Sequence, residues 1–301
     1  MSDTASNWLS AFRLRTLPLA FSCIITGSFL ASLYSFKWEI TLLAMLTTLF
    51  LQILSNLSND YGDTVHGADS LDRIGPKRAV QSGKISQASM KMAMIVFALL
   101  ALISGLSLLY VALDNLKNIL IFLLLGLLAI AAAIKYTAGK NPYGYKGLGD
   151  LFVFIFFGIV GVEGVFYLQT QAFSVNGLLP ASAIGLLSVA VLNLNNMRDH
   201  VSDAKARKNT LVVKIGFENA KKYHAALIIF SFLCAVAFSV LMWVDTAVVL
   251  PFIHLPIFIY LFFHLKKVFA TTNPANLDPE LKKVALSTFF FSILLGIGLT
   301  F

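Results

Sequence analysis

Nine predominantly apolar stretches, each about 20 residues long, dominate this chain and leave little choice of architecture. A helix of ~20 residues spans the ~30 Å hydrocarbon core of a bilayer, and only helices and closed barrels satisfy their backbones there. The stretches lie at about residues 17–36, 39–59, 88–112, 116–136, 149–170, 177–197, 222–243, 246–265 and 283–301. They are continuous rather than alternating, which argues against barrel strands. Of 301 residues, 58% are hydrophobic and 13% charged, and the mean hydropathy is +0.80. The charged share is about half that of a typical soluble domain. A soluble globular enzyme, a disordered chain and a disulfide scaffold are all excluded. The expected fold is all-α: a polytopic membrane bundle of nine transmembrane helices, forming a single domain over residues 1–301.

The two cysteines, Cys23 and Cys234, each sit inside an apolar stretch and read as buried thiols, with no disulfide or metal-thiolate spacing. Arg13 and Arg15 precede the first stretch, which is longer than a signal core and lacks a small-residue cleavage site. It is expected to be the first membrane helix. Short connections near Lys37, Asp114, Asn176 and Asp245 alternate with longer ones at 60–87, 137–148, 198–221 and 266–282. The N-terminal arm and the longer connections, with the adjoining helix ends, carry every Lys and Arg except Lys37 and Lys117. The positive-inside rule places that side in the cytoplasm. The N-terminus is then inside and the C-terminus outside, in keeping with an odd number of spans. The same bias explains the net charge of +8 without nucleic acid as a partner.

The polar residues at two helix ends carry the chemical signal. Asn56, Asn59, Asp60 and Asp63 fall at i, i+3, i+4 and i+7, one face of a helix. Asn195, Asn196, Asp199 and Asp203, at i, i+1, i+4 and i+8, also share a face. Both sets close a helix running toward the positive side, and both precede a basic connection. Each set offers two carboxylates and two amides, an oxygen-rich donor set suited to a hard cation, at a helix terminus that is electronegative. Mg²⁺ commonly takes one or two carboxylates plus phosphate oxygens. Two facing sets could hold Mg²⁺ bridging to a diphosphate. A solvated helix end explains one such set equally well; two on one membrane face, among only 15 acidic residues, point to function.

Arg73, Lys77, Arg78 and Lys208 follow these carboxylates closely and are candidates for phosphate contact, since an Arg fork matches phosphate oxygens. Lys84, Lys205 and Lys214 read as ordinary positive-inside charges. Tyr136 and Lys140 stand at i and i+4 and share the same mouth if the fourth helix continues; an interfacial Tyr and a snorkelling Lys are the competing account. Arg13 and Arg15 read as orientation charges. Asp150, in the first turn of the fifth helix, compensates the helix dipole. Glu163, deep in that helix, is either functional or a structural hydrogen-bonding group among Gly158, Gly161 and Gly164. His254, between Pro251 and Pro256, fills a kinked helix and is given no role.

These motifs resemble the UbiA superfamily of intramembrane aromatic prenyltransferases. The segments that carry the resemblance are Asn59-Asp60-Tyr61-Gly62-Asp63, Asp199-His200-Val201-Ser202-Asp203, and Tyr136 to Lys140. Asp72 to Pro76, Arg78 to Gly83, Gly147 to Asp150 with Phe156 to Gly158, and Lys208-Asn209-Thr210-Leu211 are similar to the branch acting on 1,4-dihydroxy-2-naphthoate. Position 67 departs from it: Gly stands where many relatives place a further Asp, and Asp69 is the nearest substitute. The resemblance implies a UbiA-like bundle in the bacterial cytoplasmic (inner) membrane. It implies a Mg²⁺ cofactor held by Asp60, Asp63, Asp199 and Asp203 with help from Asn56, Asn59, Asn195 and Asn196. The same four carboxylates, with Lys140 and Tyr136, would be the catalytic set. Lys140, Arg73 and Lys208 would stabilise a departing diphosphate, with Lys77 and Arg78 beside them. The implied partners are a polyprenyl diphosphate, the aromatic acceptor 1,4-dihydroxy-2-naphthoate and membrane lipid, and the implied product is a demethylmenaquinone. Phe-rich helices would supply the dry pocket an allylic cation needs. Rival readings are another acceptor, such as 4-hydroxybenzoate or homogentisate, and a cation-coupled transporter. The transporter calls for ionisable residues at the midplane, where Glu163 is the one acid.

Overall fold

The computed structural model describes residues 3–68, 74, 75, 77–246 and 250–300. Among these, nine helices are long and apolar enough to cross a membrane: α1 Thr4–Ser32, α2 Trp38–Val65, α3 Gln87–Ala112, α4 Leu116–Lys135, α5 Gly149–Thr170, α6 Leu178–Lys205, α7 Phe217–Val244, α8 Leu250–Ala270 and α9 Pro274–Thr300. No strand occurs among the described residues. The spans agree with the hydropathy reading, but several helices outrun it. α2 and α6 continue by one to two turns beyond the apolar stretch, so their polar ends stay helical through Asp63 and Asp203. α1 begins earlier than expected and is broken. Asp3–Phe12 is helical, Arg13 turns left-handed at φ 51°, and Leu14–Thr16 forms a 3-10 turn before Leu17–Ser32 resumes with Pro18 in its first turn.

α6 is the centre of the bundle. In its most apolar window 61% of residues are buried, against none in α4. α4 is therefore a peripheral wall rather than a core element. The main core joins α1, α5, α6, α7, α8 and α9 through residues such as Ile24, Val162, Ile184, Leu187, Phe258 and Phe291. A second cluster packs Ile53, Leu54 and Leu57 of α2 on Met90 and Met94 of α3, and roofs them with Ala79 and Val80 of the α2–α3 connection.

α5 and α6 approach backbone to backbone. A Cβ at Gly158 would stand 2.8 Å from the Ala181 carbonyl oxygen and 2.9 Å from the Gly185 Cα. Small residues let membrane helices come this close, where packing rather than hydrophobicity drives association. Around this contact Phe154–Glu163 is wound as a π-helix. Glu163 lies at the far end of α5 from the Asn/Asp sets, buried, and accepts from the Ser174 backbone N–H at 3.3 Å. Through this bond it ties the α5–α6 connection. Gly158→Leu should lower the thermal midpoint of the detergent-solubilised protein by several degrees, because overpacking costs ~1–3 kcal/mol. Gly126→Ala, where the added Cβ meets nothing within 4 Å, should leave it unchanged.

Candidate active site

The two polar helix ends are built alike. α2 stops at Gly67, left-handed at φ 73°, with the Gly67 N–H on the Thr64 carbonyl and the Ala68 N–H on the Asp63 carbonyl. α6 stops at Arg207, left-handed at φ 57°, with the Arg207 N–H on Ala204 and the Lys208 N–H on Asp203. Both are Schellman closures in which the last acid of the set supplies the terminal carbonyl. Gly67 is therefore the helix stop, which gives a conformational reason for glycine where the resemblance anticipates an acid. Asp69, Asp72 and Arg73 lie outside the described residues.

The closure of α6 folds Lys208 back over its own helix end. Its ammonium stands 3.4 Å from Asp63 Oδ1 and 3.6 Å from Asp203 Oδ1. One cation thus joins the two sets, which share a mouth at one end of the bundle. Asp63 is the hub. Arg78 donates to its Oδ2 at 2.6 Å, and the Tyr145 hydroxyl donates to its Oδ1 at 2.9 Å. Lys208 also sits over the Tyr145 ring, 5.4 Å from its centroid. Asp63, Arg78, Asp203 and Lys208 are all buried. Gly62 permits this assembly: a Cβ there would meet the Thr137 carbonyl carbon and oxygen at 2.5 Å, so glycine lets the α4–α5 connection lie on α2.

The α2 set fans into two edges. On one, Asn59 Oδ1 accepts from Thr137 Oγ1 at 3.0 Å beside Asp63. On the other, Asn56 Nδ2 donates to the Phe12 carbonyl and to Thr16 Oγ1, while Asp60 accepts from the Ala79 and Val80 N–H groups at 2.9 and 3.0 Å. Asp60 thereby holds down the α2–α3 connection. In the α6 set, Arg198 forks onto both oxygens of Asp199 at 2.8 and 2.7 Å, reaches Asn195 Oδ1 at 2.8 Å, and binds Asp278 of α9 at 2.5 Å. Asn196 is buried on the same helix. Lys77 is exposed beside Arg78.

The shared face expected for Tyr136 and Lys140 is not formed. α4 ends at Lys135, and Gly139 and Asn141 turn left-handed, at φ 87° and 60°, leaving Lys140 exposed. Tyr136 instead packs on Tyr143, with ring centroids 5.4 Å apart, at the head of an apolar cavity of about 370 Å³. Burial raises the Tyr143 phenol above its ordinary pKa, so it stays protonated and donates to the Ala132 carbonyl at 3.0 Å. The cavity runs between α1, α2, α3, α4 and α5, from Asn59 at the polar end to Ala44 on α2. That is ~22 Å at 1.5 Å per residue. Sequence reading missed Tyr145, Arg198 and Thr137. Arg198 stood next to Asp199 in plain view; Tyr145 and Thr137 lie in an irregular connection where spacing carries no signal.

A membrane bundle with nine spanning helices among the described residues, two of them carboxylate-bearing and meeting above a long apolar cavity, is an intramembrane protein built for an ionic head and an apolar tail. The chain belongs to the UbiA prenyltransferase family, whose sequence pattern matches residues 20–294, and it is an integral membrane protein. It is 42% identical over 302 residues to 1,4-dihydroxy-2-naphthoate octaprenyltransferase of Haemophilus influenzae, covering 99% of this chain and 97% of that one. The Escherichia coli protein of the same name is 51% identical over 233 residues, 77% of this chain and 76% of its own. Among solved structures, a UbiA homologue from Archaeoglobus fulgidus bound to DMAPP and Mg²⁺ superposes with a TM-score of 0.63 at 18% identity, covering 95% and 98% of the two chains. An apo UbiA homologue from Aeropyrum pernix gives 0.63 at 17%, covering 95% and 97%. At these identities the likeness to solved structures is one of fold.

Because Asp60 anchors Ala79 and Val80, Asp60→Ala should free the α2–α3 connection. Limited proteolysis should cut between residues 74 and 86 several-fold faster than in the wild type, while the helix content measured by circular dichroism stays constant.

Proposed function

We propose that the protein transfers a polyprenyl group from a polyprenyl diphosphate to 1,4-dihydroxy-2-naphthoate, with loss of carbon dioxide and diphosphate, giving a demethylmenaquinone. The observation that carries this reading is the Lys208 ammonium between Asp63 and Asp203 at the polar end of an apolar cavity. The names of the relatives supply the acceptor.

The residues fit a Mg²⁺ ion completed by substrate. Among the described residues no group of three or more His, Cys, Asp or Glu forms a metal cage by itself. Instead carboxylates from two helices converge on a positive charge and leave the remaining donors to come from elsewhere. Mg²⁺ is usually bound this way, through one or two carboxylates and phosphate oxygens. Asp63 and Asp203, which Lys208 already brings together, are the residues that would hold it, and it would supply positive charge against the leaving diphosphate; Asp60 and Asp199, engaged by the Ala79 and Val80 amides and by Arg198, would join them only by exchanging those partners. Arg78 and Lys208, already buried at the mouth, hold the diphosphate and take up its growing negative charge as the allylic C–O bond breaks. The prenyl chain lies along the cavity past Asn59. Tyr136, Tyr143 and Phe152 ring the reacting carbon with aromatic faces and exclude water. The positive-inside argument sets this mouth on the cytoplasmic side of a bacterial inner membrane, with the C-terminus outside.

Membranes containing the protein, incubated with the naphthoate, octaprenyl diphosphate and Mg²⁺, should yield a prenylated naphthoquinol identifiable by mass. A 4-hydroxybenzoate arm should yield none. Asp199→Ala should lower turnover by at least a hundredfold with the protein still folded; turnover near wild type would remove the assigned role. Gly126→Phe projects a ring into the cavity and should cut transfer from octaprenyl diphosphate by at least tenfold more than transfer from geranyl diphosphate. Equal losses for both donors would show that the chain does not lie there.

A further inference from the structure

Asp199 and Asp203 stand one turn apart on the same face of α6, yet their surroundings differ. Asp203 faces the Lys208 ammonium that joins it to Asp63. Asp199 is held by Arg198, which donates from Nε to Oδ1 at 2.8 Å and from Nη2 to Oδ2 at 2.7 Å. Both side chains are almost fully buried. A carboxylate forked on both oxygens does not at the same time offer them to an incoming cation.

The fork has a second receptor within reach. Arg198 Nη1 donates to Asp278 Oδ1 at 2.5 Å, where the 3-10 turn Pro274–Leu277 passes into the α-helix of α9. Asn273 Oδ1 accepts from the Ala275 N–H at 3.0 Å and holds that turn in place. Asp278 gives Arg198 this one oxygen: its Oδ2 accepts no hydrogen bond among the described residues. A carboxylate takes a guanidinium through both oxygens when it can. The Asp278 side chain is 46% exposed, against 5% for Asp199, so water reaches the open oxygen. One guanidinium thus stands between two carboxylates, the one buried and fully used, the other half exposed and half used.

We infer that Asp278 is a positioning residue for the proposed reaction: as Mg²⁺ and the diphosphate arrive, Arg198 pivots on its Nη1 bond, moves Nη2 from Asp199 to Asp278 Oδ2, and releases Asp199 as a metal ligand. This rests on the proposed reaction and deepens it, because it supplies the exchange of partners that Asp199 needs. Charge stays paired throughout. Before the exchange Arg198 neutralises a buried acid; after it, Asp199 faces the incoming cation and Arg198 keeps a carboxylate. A guanidinium left buried without one is strongly unfavourable, so Asp199 is released only as far as Asp278 takes the fork. Asp278 acts through Arg198 and not on the substrate. The competing account is a static clamp, with Asp199 a structural acid and the metal held by Asp63 and Asp203 alone.

The test is equilibrium binding, read without turnover, on the full-length protein in phosphatidylcholine nanodiscs. The probe is geranyl S-thiolodiphosphate, whose allylic C–S bond resists ionisation, with and without Mg²⁺. In the wild type Mg²⁺ should tighten binding at least tenfold. Asp278→Asn keeps an oxygen for Nη1 and loses the second acceptor. It should weaken Mg²⁺-dependent binding about tenfold and leave Mg²⁺-free binding within twofold, with Asp278→Glu recovering part of the loss. In an Asp199→Asn background the same change should add less than twofold, since no carboxylate remains to be released. Equal weakening with and without Mg²⁺, additive losses in the double variant, or unchanged binding in Asp278→Asn would each overturn the assignment, as would wild-type binding indifferent to Mg²⁺. If Asp278→Asn does not fold, the wild type decides. Its structure with probe and Mg²⁺ should show both Arg198 Nη atoms on Asp278; Asp199 still forked by Arg198 would overturn the exchange. An exchange that behaves as expected in a protein performing no transfer to the naphthoate would sink the reaction and leave the role of Asp278 standing.

Discussion

Asp63 is almost fully enclosed, and the three groups that neutralise and orient it come from three different segments of the chain. Arg78 arrives from the α2–α3 connection, Tyr145 from the α4–α5 connection, and Lys208 from just beyond α6. An isolated carboxylate in such surroundings is untenable, and removing one partner of a buried ion pair costs ~3–5 kcal/mol. The three connections are therefore held against the α2 terminus by a requirement of electrostatics. Lys208 extends the same logic to Asp203, so the two polar helix ends cannot drift apart without stranding charge. What results is a compact polar lid resting on an apolar bundle.

Beneath that lid the physics changes within one helical turn. Asn59 belongs to the polar face, yet it also lines the apolar cavity. From there to Ala44 the α2 residues that face the space include Ser55, Gln52, Leu51 and Thr47, and the opposite wall is α4, whose apolar window buries nothing. A helix so little covered by protein is covered by lipid. The cavity is thus bounded on one side by a single peripheral helix, a geometry suited to a substrate whose tail is itself lipid-like. Charge that develops at the Asn59 end has no water to relax into, and each donor at the mouth acts at greater strength for that reason.

The periodicity of apolar residues carried the nine spans, because length and continuity are what a bilayer demands. The two Asn/Asp faces were legible for a similar reason: a helical repeat places i, i+3, i+4 and i+7 together whatever surrounds them. Spacing could not tell how a face is divided. Asn56 and Asp60 turn to the N-terminal segment and the α2–α3 connection, whereas Asn59 and Asp63 turn to Thr137, Tyr145 and Lys208. Extrapolating the helix beyond its end misled for Tyr136 and Lys140, since the left-handed turn at Gly139 is a local backbone event that a four-residue spacing does not register. Tyr145 could not be found at all from the sequence, because its value lies in a contact across 82 residues of chain.

The last three helices offered no motif, yet the second carboxylate set depends on them. Arg198 orients both oxygens of Asp199 and is itself gripped by Asp278, where the 3-10 turn Pro274–Leu277 that opens α9 gives way to α-helix. Two residues further along, Glu280 accepts from His264 of α8 at 2.5 Å, and His264 meets His224 of α7 at 2.9 Å. These groups are buried and link α7, α8 and α9 into one polar chain adjoining the Arg198–Asp278 pair. Burying so many titratable groups in membrane helices is expensive unless they satisfy one another. Their effect is to fix where α9 begins, and thereby where Asp278 meets Arg198. The orientation of Asp199 is set from behind by helices that do not line the cavity, so pressure to preserve the site falls on residues that no motif would single out.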